Sequence, residues 1–114
     1  MNQSNFQELN YLNFEAAMTG KTILVDFWAE WCHPCKTQRL MLTEIHQHYK
    51  EQLEVALLNV DDNKLIANQH SVRNLPTLIL FRDGKEIRRF IGLQNKEQLI
   101  HQINAQLTKI QQNG

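Results

Sequence analysis

Two cysteines separated by two residues, Cys32 and Cys35, are the side chains of this sequence best suited to chemistry. They are the only cysteines among its 114 residues. In a reducing compartment a C-x-x-C pair is more often redox-active or metal-binding than a structural cross-link. Together with His33 the pair offers a metal at most three ligands in a cramped arc, whereas structural zinc usually has four. The spacing therefore favours thiol–disulfide chemistry without a bound metal.

Hydrophobic patterning predicts the strands and helices that must position this pair. The β-branched and aromatic run Thr22–Trp28 is typical of a strand buried on both faces, although it contains Asp26. The other predicted strands are a short edge strand at 5–9, then 53–60, Thr77–Arg82 and 86–91. The predicted helices are 11–18, 36–50, a short helix from the cap cluster at 61–63 to about residue 69, and 96–110.

The helix predicted over residues 36–50 follows directly after the cysteine pair. Pro34 lies near its start, where the missing N–H of proline costs nothing. Cys32 is therefore expected at the N-terminus of this helix. The apolar face of the helix is predicted to comprise Leu40, Leu42, Ile45 and Tyr49.

The order of elements predicts an α/β fold. Helices between the early strands imply parallel pairing there, whereas Asp83 and Gly84 form a hairpin signal that imposes antiparallel pairing late in the chain. We therefore expect a central mixed five-stranded sheet flanked by four helices. The length suits a single domain over residues 1–114, with a core at about 5–108.

Composition limits the partners of such a domain. Twelve basic and twelve acidic residues give a net charge of zero, so there is no basic field to hold a nucleic acid. The first residues lack the basic and apolar segments of a secretory signal, and no stretch approaches the roughly 20 apolar residues that span a membrane. We expect a cytoplasmic monomer that binds neither nucleic acid nor membranes.

The segment ILVDFWAEWCHPCK at 23–36 resembles the active-site segment of the thioredoxin family. The likeness continues in VALLNVDDN at 55–63, LPT at 75–77, FRDG at 81–84 and Gly92, and it covers about residues 5–108. The resemblance implies the thioredoxin fold and the reduction of protein disulfides without a bound cofactor. It also implies a redox-active Cys32–Cys35 disulfide, disulfide-containing client proteins, and a thioredoxin reductase that supplies electrons from NADPH.

The resemblance assigns roles to three residues. Cys32 would be the nucleophile, because a helix N-terminus favours its thiolate. Cys35 would be the resolving thiol, since residues three apart on a helix are within reach of a disulfide. Asp26 would exchange a proton with Cys35, and its burial should raise its pKa. A purely local role for Asp26, satisfying a backbone group, stays open.

Substrate recognition is implied around Pro76, which resembles the cis-proline of the family. A cis bond would bring the Leu75 backbone beside Cys32, where it could pair with an extended substrate. The alternative is an ordinary trans proline that opens a strand. The apolar patch around the sulfur would comprise Trp31, Leu75, Ile91 and Gly92.

Three positions depart from the family pattern. His33 stands in place of glycine beside Pro34, and these two residues between the cysteines are expected to tune the redox potential. A charged imidazole at His33 would make the pair more oxidising by about 20 mV for about 1 kcal/mol of thiolate stabilisation. A solvated imidazole without effect is the alternative. Leu57 stands where many thioredoxins have a lysine, so Asp26 is expected to be harder to ionise. Leu40 replaces a proline, which predicts a straighter helix.

Two other functions stay open at this point. The same chemistry could run in reverse, as in an oxidant or a disulfide isomerase. The chain could also be a binding module or chaperone with the same fold, in which the thiols are incidental. Asp26 and Pro76 argue against the second alternative, because a pure scaffold has no need of them.

Overall fold

A computed structural model describes residues 6–113 of the chain. Residues 1–5 and 114 of the predicted domain lie outside the described residues. Residue 5, the first of the predicted edge strand and of the predicted core, is among them. A short 3-10 turn, Lys50–Gln52, follows the second helix. The strands and helices are β1 Gln7–Glu8, α1 Phe14–Met18, β2 Thr22–Trp28, α2 His33–Tyr49, β3 Glu54–Asn59, α3 Lys64–Gln69, β4 Thr77–Arg82, β5 Lys85–Ile91 and α4 Lys96–Asn113.

The five strands form one sheet in the order β1-β3-β2-β4-β5. β3 pairs in parallel with β1 and β2, whereas β4 pairs antiparallel with β2 and β5. At the β4–β5 hairpin, Asp83 and Gly84 both have positive φ, 51° and 83°, as a type I′ turn requires. The predicted mixed sheet with four flanking helices is confirmed.

Side chains of β2 alternate between two hydrophobic clusters, one on each face of the sheet. Ile23, Val25 and Phe27 meet α1 and α3 on one face. Leu24 meets α2 and α4 on the other face, together with Leu78 and Leu80 from β4. Asp26 lies between Val25 and Phe27 in the strand, so its side chain points to the opposite face, the one covered by α2 and α4.

α2 differs from its prediction at its start and in its buried face. It begins at His33 rather than residue 36, because Pro34 is compatible with a first helical turn. Leu40 was predicted to be buried, but its side chain is 63% exposed. Each helical residue turns by about 100°, so Leu40 and Leu42 point about 200° apart and cannot share a face. The buried face comprises Cys35, Gln38, Leu42, Ile45 and Tyr49.

Candidate active site

The two cysteines lie at the first turn of α2 and are joined by a disulfide bond. Their Cα atoms are 5.4 Å apart, within the usual range for a disulfide. Cys32 is the N-cap of the helix, and its Sγ accepts a hydrogen bond from the Cys35 N–H at 3.2 Å. Backbone N–H groups at a helix start favour negative charge. The site therefore suits a sulfur that must become a thiolate.

Cys32 and Cys35 are both buried, whereas His33 and Pro34 between them are exposed. The His33 side chain thus leaves the first turn of α2 on its solvent side. An imidazole here can interact with the start of the helix without taking part in the core.

Asp26 is a fully buried carboxyl group in the central strand. Its neighbours in the sheet are Leu57 on β3 and Leu78 on β4. Neither of its carboxyl oxygens has a hydrogen-bond partner among the described residues. Burial raises the pKa of Asp26 from 3.8 to about 7, although the nearby Arg39 lowers it. The effect of burial on this pKa therefore outweighs the effect of Arg39.

Arg39 is the residue that the sequence interpretation missed. Its Nε atom lies 3.6 Å from Asp26 Oδ2, and its guanidinium carbon lies 4.6 Å from the centre of the Trp28 ring. Leu57 supplies no cation, but α2 supplies Arg39, which lowers the pKa of Asp26 without cancelling the effect of burial. A signal was available, since Arg39 follows Cys35 by four residues and so lies one turn further along the same helix face.

The peptide bond between Leu75 and Pro76 is cis, which confirms that prediction. The Leu75 side chain packs against the small cluster formed by Ala29 and the two cysteines. Gly92 lies beside Pro76, because its N–H donates a hydrogen bond to the Pro76 carbonyl oxygen at 2.8 Å. The positive φ of Gly92, 86°, favours glycine at this position.

The apolar side chains predicted for the patch differ in exposure. Trp31 and Ile91 are 70% and 58% exposed, whereas Leu75 is half-buried. Trp31 is oriented by a hydrogen bond from its Nε1–H to Asp61 Oδ2 at 2.8 Å. Leu93, which the sequence interpretation did not include, is exposed just beyond Gly92. Trp31 directly precedes Cys32 in the chain, whereas Ile91 and Leu93 flank Gly92, which is hydrogen-bonded to Pro76.

Gln38 connects α2 to the loop that carries Gly92. It is fully buried, and its Oε1 accepts a hydrogen bond from the Gln94 N–H at 2.9 Å. The Gln94 side chain in turn donates to the carbonyl oxygens of Ile91 and Gly92. The sequence interpretation missed this link, although Gln38 lies three residues after Cys35, on the inward face of the helix.

Neither a metal centre nor a membrane-spanning helix is found in the described part of the chain. Within residues 6–113, no cluster of three or more His, Cys, Asp or Glu side chains is arranged to hold a metal ion. Over the same residues, no helix combines the length and apolar character that crossing a membrane requires.

A C-x-x-C disulfide at the N-terminus of a helix is typical of a class of proteins, the thiol–disulfide oxidoreductases. The family model described as Thioredoxin matches residues 5–105. The chain belongs to the thioredoxin family. It is a thiol–disulfide oxidoreductase whose redox group is its own cysteine pair, without a bound cofactor.

Individual relatives agree with this assignment. The chain is 44% identical over 92 residues to a thioredoxin of Alicyclobacillus acidocaldarius subsp. acidocaldarius, covering 80% of this chain and 88% of the relative. It is 42% identical over 95 residues to a thioredoxin of Chlamydia caviae, covering 81% and 89%. The oxidized form of mitochondrial thioredoxin 3 from Saccharomyces cerevisiae superposes with a TM-score of 0.79 at 30% identity, covering 88% of this chain and 94% of that one.

Asp26→Asn is expected to stabilise the protein at neutral and alkaline pH. The pKa of Asp26 is about 7 in the folded protein, whereas an unfolded aspartate loses its proton at about pH 4. The free energy of unfolding therefore falls as pH rises from about 4 to about 7, because only the folded state keeps the proton in this range. Asparagine removes this penalty, and the gain in free energy of unfolding should approach about 4 kcal/mol above that window. Urea denaturation from pH 4 to pH 9 measures it.

The matched control is Asp62→Asn, which replaces an exposed aspartate. It should leave the pH dependence of unfolding unchanged. Equal stability of Asp26→Asn and the natural sequence at pH 8 would contradict the raised pKa.

Proposed function

We propose that this protein reduces disulfides of client proteins, with Cys32 as the nucleophile, Cys35 as the resolving thiol and Asp26 as the proton-exchanging group. The observation that carries the proposal is the position of the Cys32–Cys35 disulfide at the N-terminus of α2. Cys32 is the member of the pair that caps the helix, so the helix dipole acts on its sulfur most directly. Cys32 also directly follows the exposed Trp31 and belongs to the cluster against which Leu75 packs. In this proposal a client docks on this side of the molecule.

The reaction passes two electrons and two protons to the client. The thiolate of Cys32 attacks one sulfur of the client disulfide, a mixed disulfide forms, and the other client sulfur leaves with the bonding electron pair and takes a proton. The thiolate of Cys35 then attacks Cys32 Sγ. The Cys32–Cys35 disulfide forms, and the second client sulfur leaves with its electron pair and is protonated.

Asp26 serves the second step in this proposal by accepting the proton of the Cys35 thiol. Two observations support it. Asp26 lies on the sheet face that α2 covers, and its partner Arg39 is one helical turn from Cys35. With a pKa of about 7, Asp26 is ionised in about half of the molecules at neutral pH, so it can act as a base or as an acid.

Client recognition is proposed to combine shape with apolar contact, since the net charge of the chain is zero. The Leu75 backbone next to Pro76 would pair with an extended client segment as an added strand. The apolar surface around it would comprise Trp31, Leu75, Pro76, Ile91 and Gly92. Packing of Leu75 against the cysteine cluster and the bond between Gly92 and Pro76 support this arrangement.

The family implies disulfide-containing clients and a reductase in general terms. For this chain we propose a thioredoxin reductase that returns the two electrons from NADPH. The cytoplasmic location and the monomeric state stay predictions of the sequence.

Reduction of insulin disulfides with thioredoxin reductase and NADPH tests the assignment of the cysteines. Cys32→Ser is expected to abolish turnover, whereas Cys35→Ser should accumulate a mixed disulfide that mass spectrometry detects. Turnover retained by Cys32→Ser would contradict the proposal. Binding to a partner that survives in Cys32→Ser, without turnover in the natural sequence, would favour the binding-module alternative.

Asp26→Asn tests the proton role separately. Loss of a general base should slow turnover at neutral pH by roughly tenfold or more, while the fold is retained. The rate should also lose the part of its pH dependence that has a midpoint near 7. The pH profile of insulin reduction measures both, and an unchanged profile would rule out proton exchange by Asp26.

We also propose that His33 raises the reduction potential of the Cys32–Cys35 pair above that of a thioredoxin with glycine at this position. Its exposed side chain in the first turn of α2 supports this idea, because a cation there stabilises the reduced pair. His33→Gly should shift the potential by about 20 mV towards more reducing values. Equilibration with glutathione measures the shift, and an unchanged potential would contradict this effect of His33.

A further inference from the structure

The ion pair between Arg39 and Asp26 joins α2 to the central strand. The Asp26 side chain is fully buried, the Arg39 side chain is 22% exposed, and the Nε–Oδ2 distance is 3.6 Å. Arg39 Nε is itself buried and has no hydrogen-bond partner among the described residues. The two groups therefore depend on each other for charge compensation.

Apolar side chains surround Asp26 in the sheet and cover the face on which it lies. β3 and β4 place Leu57 and Leu78 beside it in the sheet. On the same face α4 contributes Leu99 and Ile103, while α2 contributes Leu42 and Ile45. The cysteines of α2 form a disulfide and do not titrate in this form. The charge that acts on Asp26 is that of Arg39.

Trp28 holds the guanidinium group in place. The Arg39 guanidinium carbon lies 4.6 Å from the centre of the Trp28 ring, a cation–π contact. Trp28 also packs against the cluster that contains both cysteines. A planar guanidinium can lie on an aromatic ring and face a carboxylate at the same time, which a lysine ammonium does less well.

We propose that Arg39 is a positioning residue for the redox reaction, which sets the proton exchange of Asp26 by holding a cation beside its carboxylate from α2. This inference rests on the proposed proton role of Asp26 and adds a residue to it. Arg39 takes the place of the cation that Leu57 does not provide. It does not touch the client or the sulfur atoms, and it acts through Asp26.

The cation matters most in the step that resolves the mixed disulfide. Asp26 must be ionised before it can take the proton of the Cys35 thiol. Burial alone would keep it protonated well above neutral pH. Arg39 stabilises the carboxylate, so that a useful fraction of molecules is ready to accept the proton at neutral pH.

A titration of the Asp26 carboxyl carbon by NMR in the oxidised protein tests the inference directly. Arg39→Met should raise the midpoint by about one pH unit, because an adjacent arginine typically lowers a carboxyl pKa by that amount or more. At neutral pH the ionised fraction would fall from about one half to about one tenth. Turnover of insulin should then be about fivefold slower, with its pH profile displaced in the same direction.

Conservative and control variants separate charge from packing. Arg39→Lys keeps the charge and should bring the midpoint back towards that of the natural sequence. Arg39→Gln replaces Arg39→Met should the methionine variant not fold. Arg88→Met removes an exposed arginine that also lies over an aromatic ring, that of Phe90, and should leave the midpoint unchanged.

The inference is overturned by an unchanged Asp26 midpoint in a folded, neutral Arg39 variant, or by equal shifts in Arg39→Lys and Arg39→Met. Failure of the proposed function looks different. In that case Asp26→Asn leaves the pH profile of turnover unchanged, while the NMR midpoint still responds to Arg39.

Discussion

The burial of an ionisable carboxyl group in the central strand is the constraint on which the rest of the site depends. Asp26 sits between Leu57 and Leu78, with its charge opposed by desolvation. A core this apolar would keep the acid protonated, and an acid that is always protonated cannot accept a proton from a thiol. One cation, Arg39, moderates that penalty, so that burial and ion pairing together bring the pKa of Asp26 to about 7.

Helix α2 combines three tasks in its first two turns. Its N-terminus is capped by Cys32, its buried face carries Cys35 and Gln38, and its next position carries Arg39. One helix therefore carries the disulfide, the cation beside Asp26 and the link to the loop that contains Gly92. α2 is in turn held by packing against the sheet and α4. This packing fixes the position of the cysteine pair relative to the buried carboxyl group of Asp26.

Much of the fold was predictable, because it follows from strong local signals. The apolar run Thr22–Trp28 predicted its strand, and Asp83 with Gly84 predicted the hairpin. The start of α2 and the exposure of Leu40 were missed, since the first depends on the compatibility of Pro34 with a first turn and the second on counting helical angles. Arg39 was missed for a different reason. A cation was sought at the family position, and which side chain reaches Asp26 in space depends on tertiary packing.

The pKa of Asp26 links its burial, its pairing with Arg39 and its proposed proton exchange, and it can be measured without any substitution. An NMR titration of the Asp26 carboxyl carbon in the oxidised natural protein should give a midpoint near the value of about 7 that burial and Arg39 together produce. A midpoint near the ordinary aspartate value of about 4 would contradict the account, because it would mean that the carboxyl group is solvated or far more strongly paired than the structure describes.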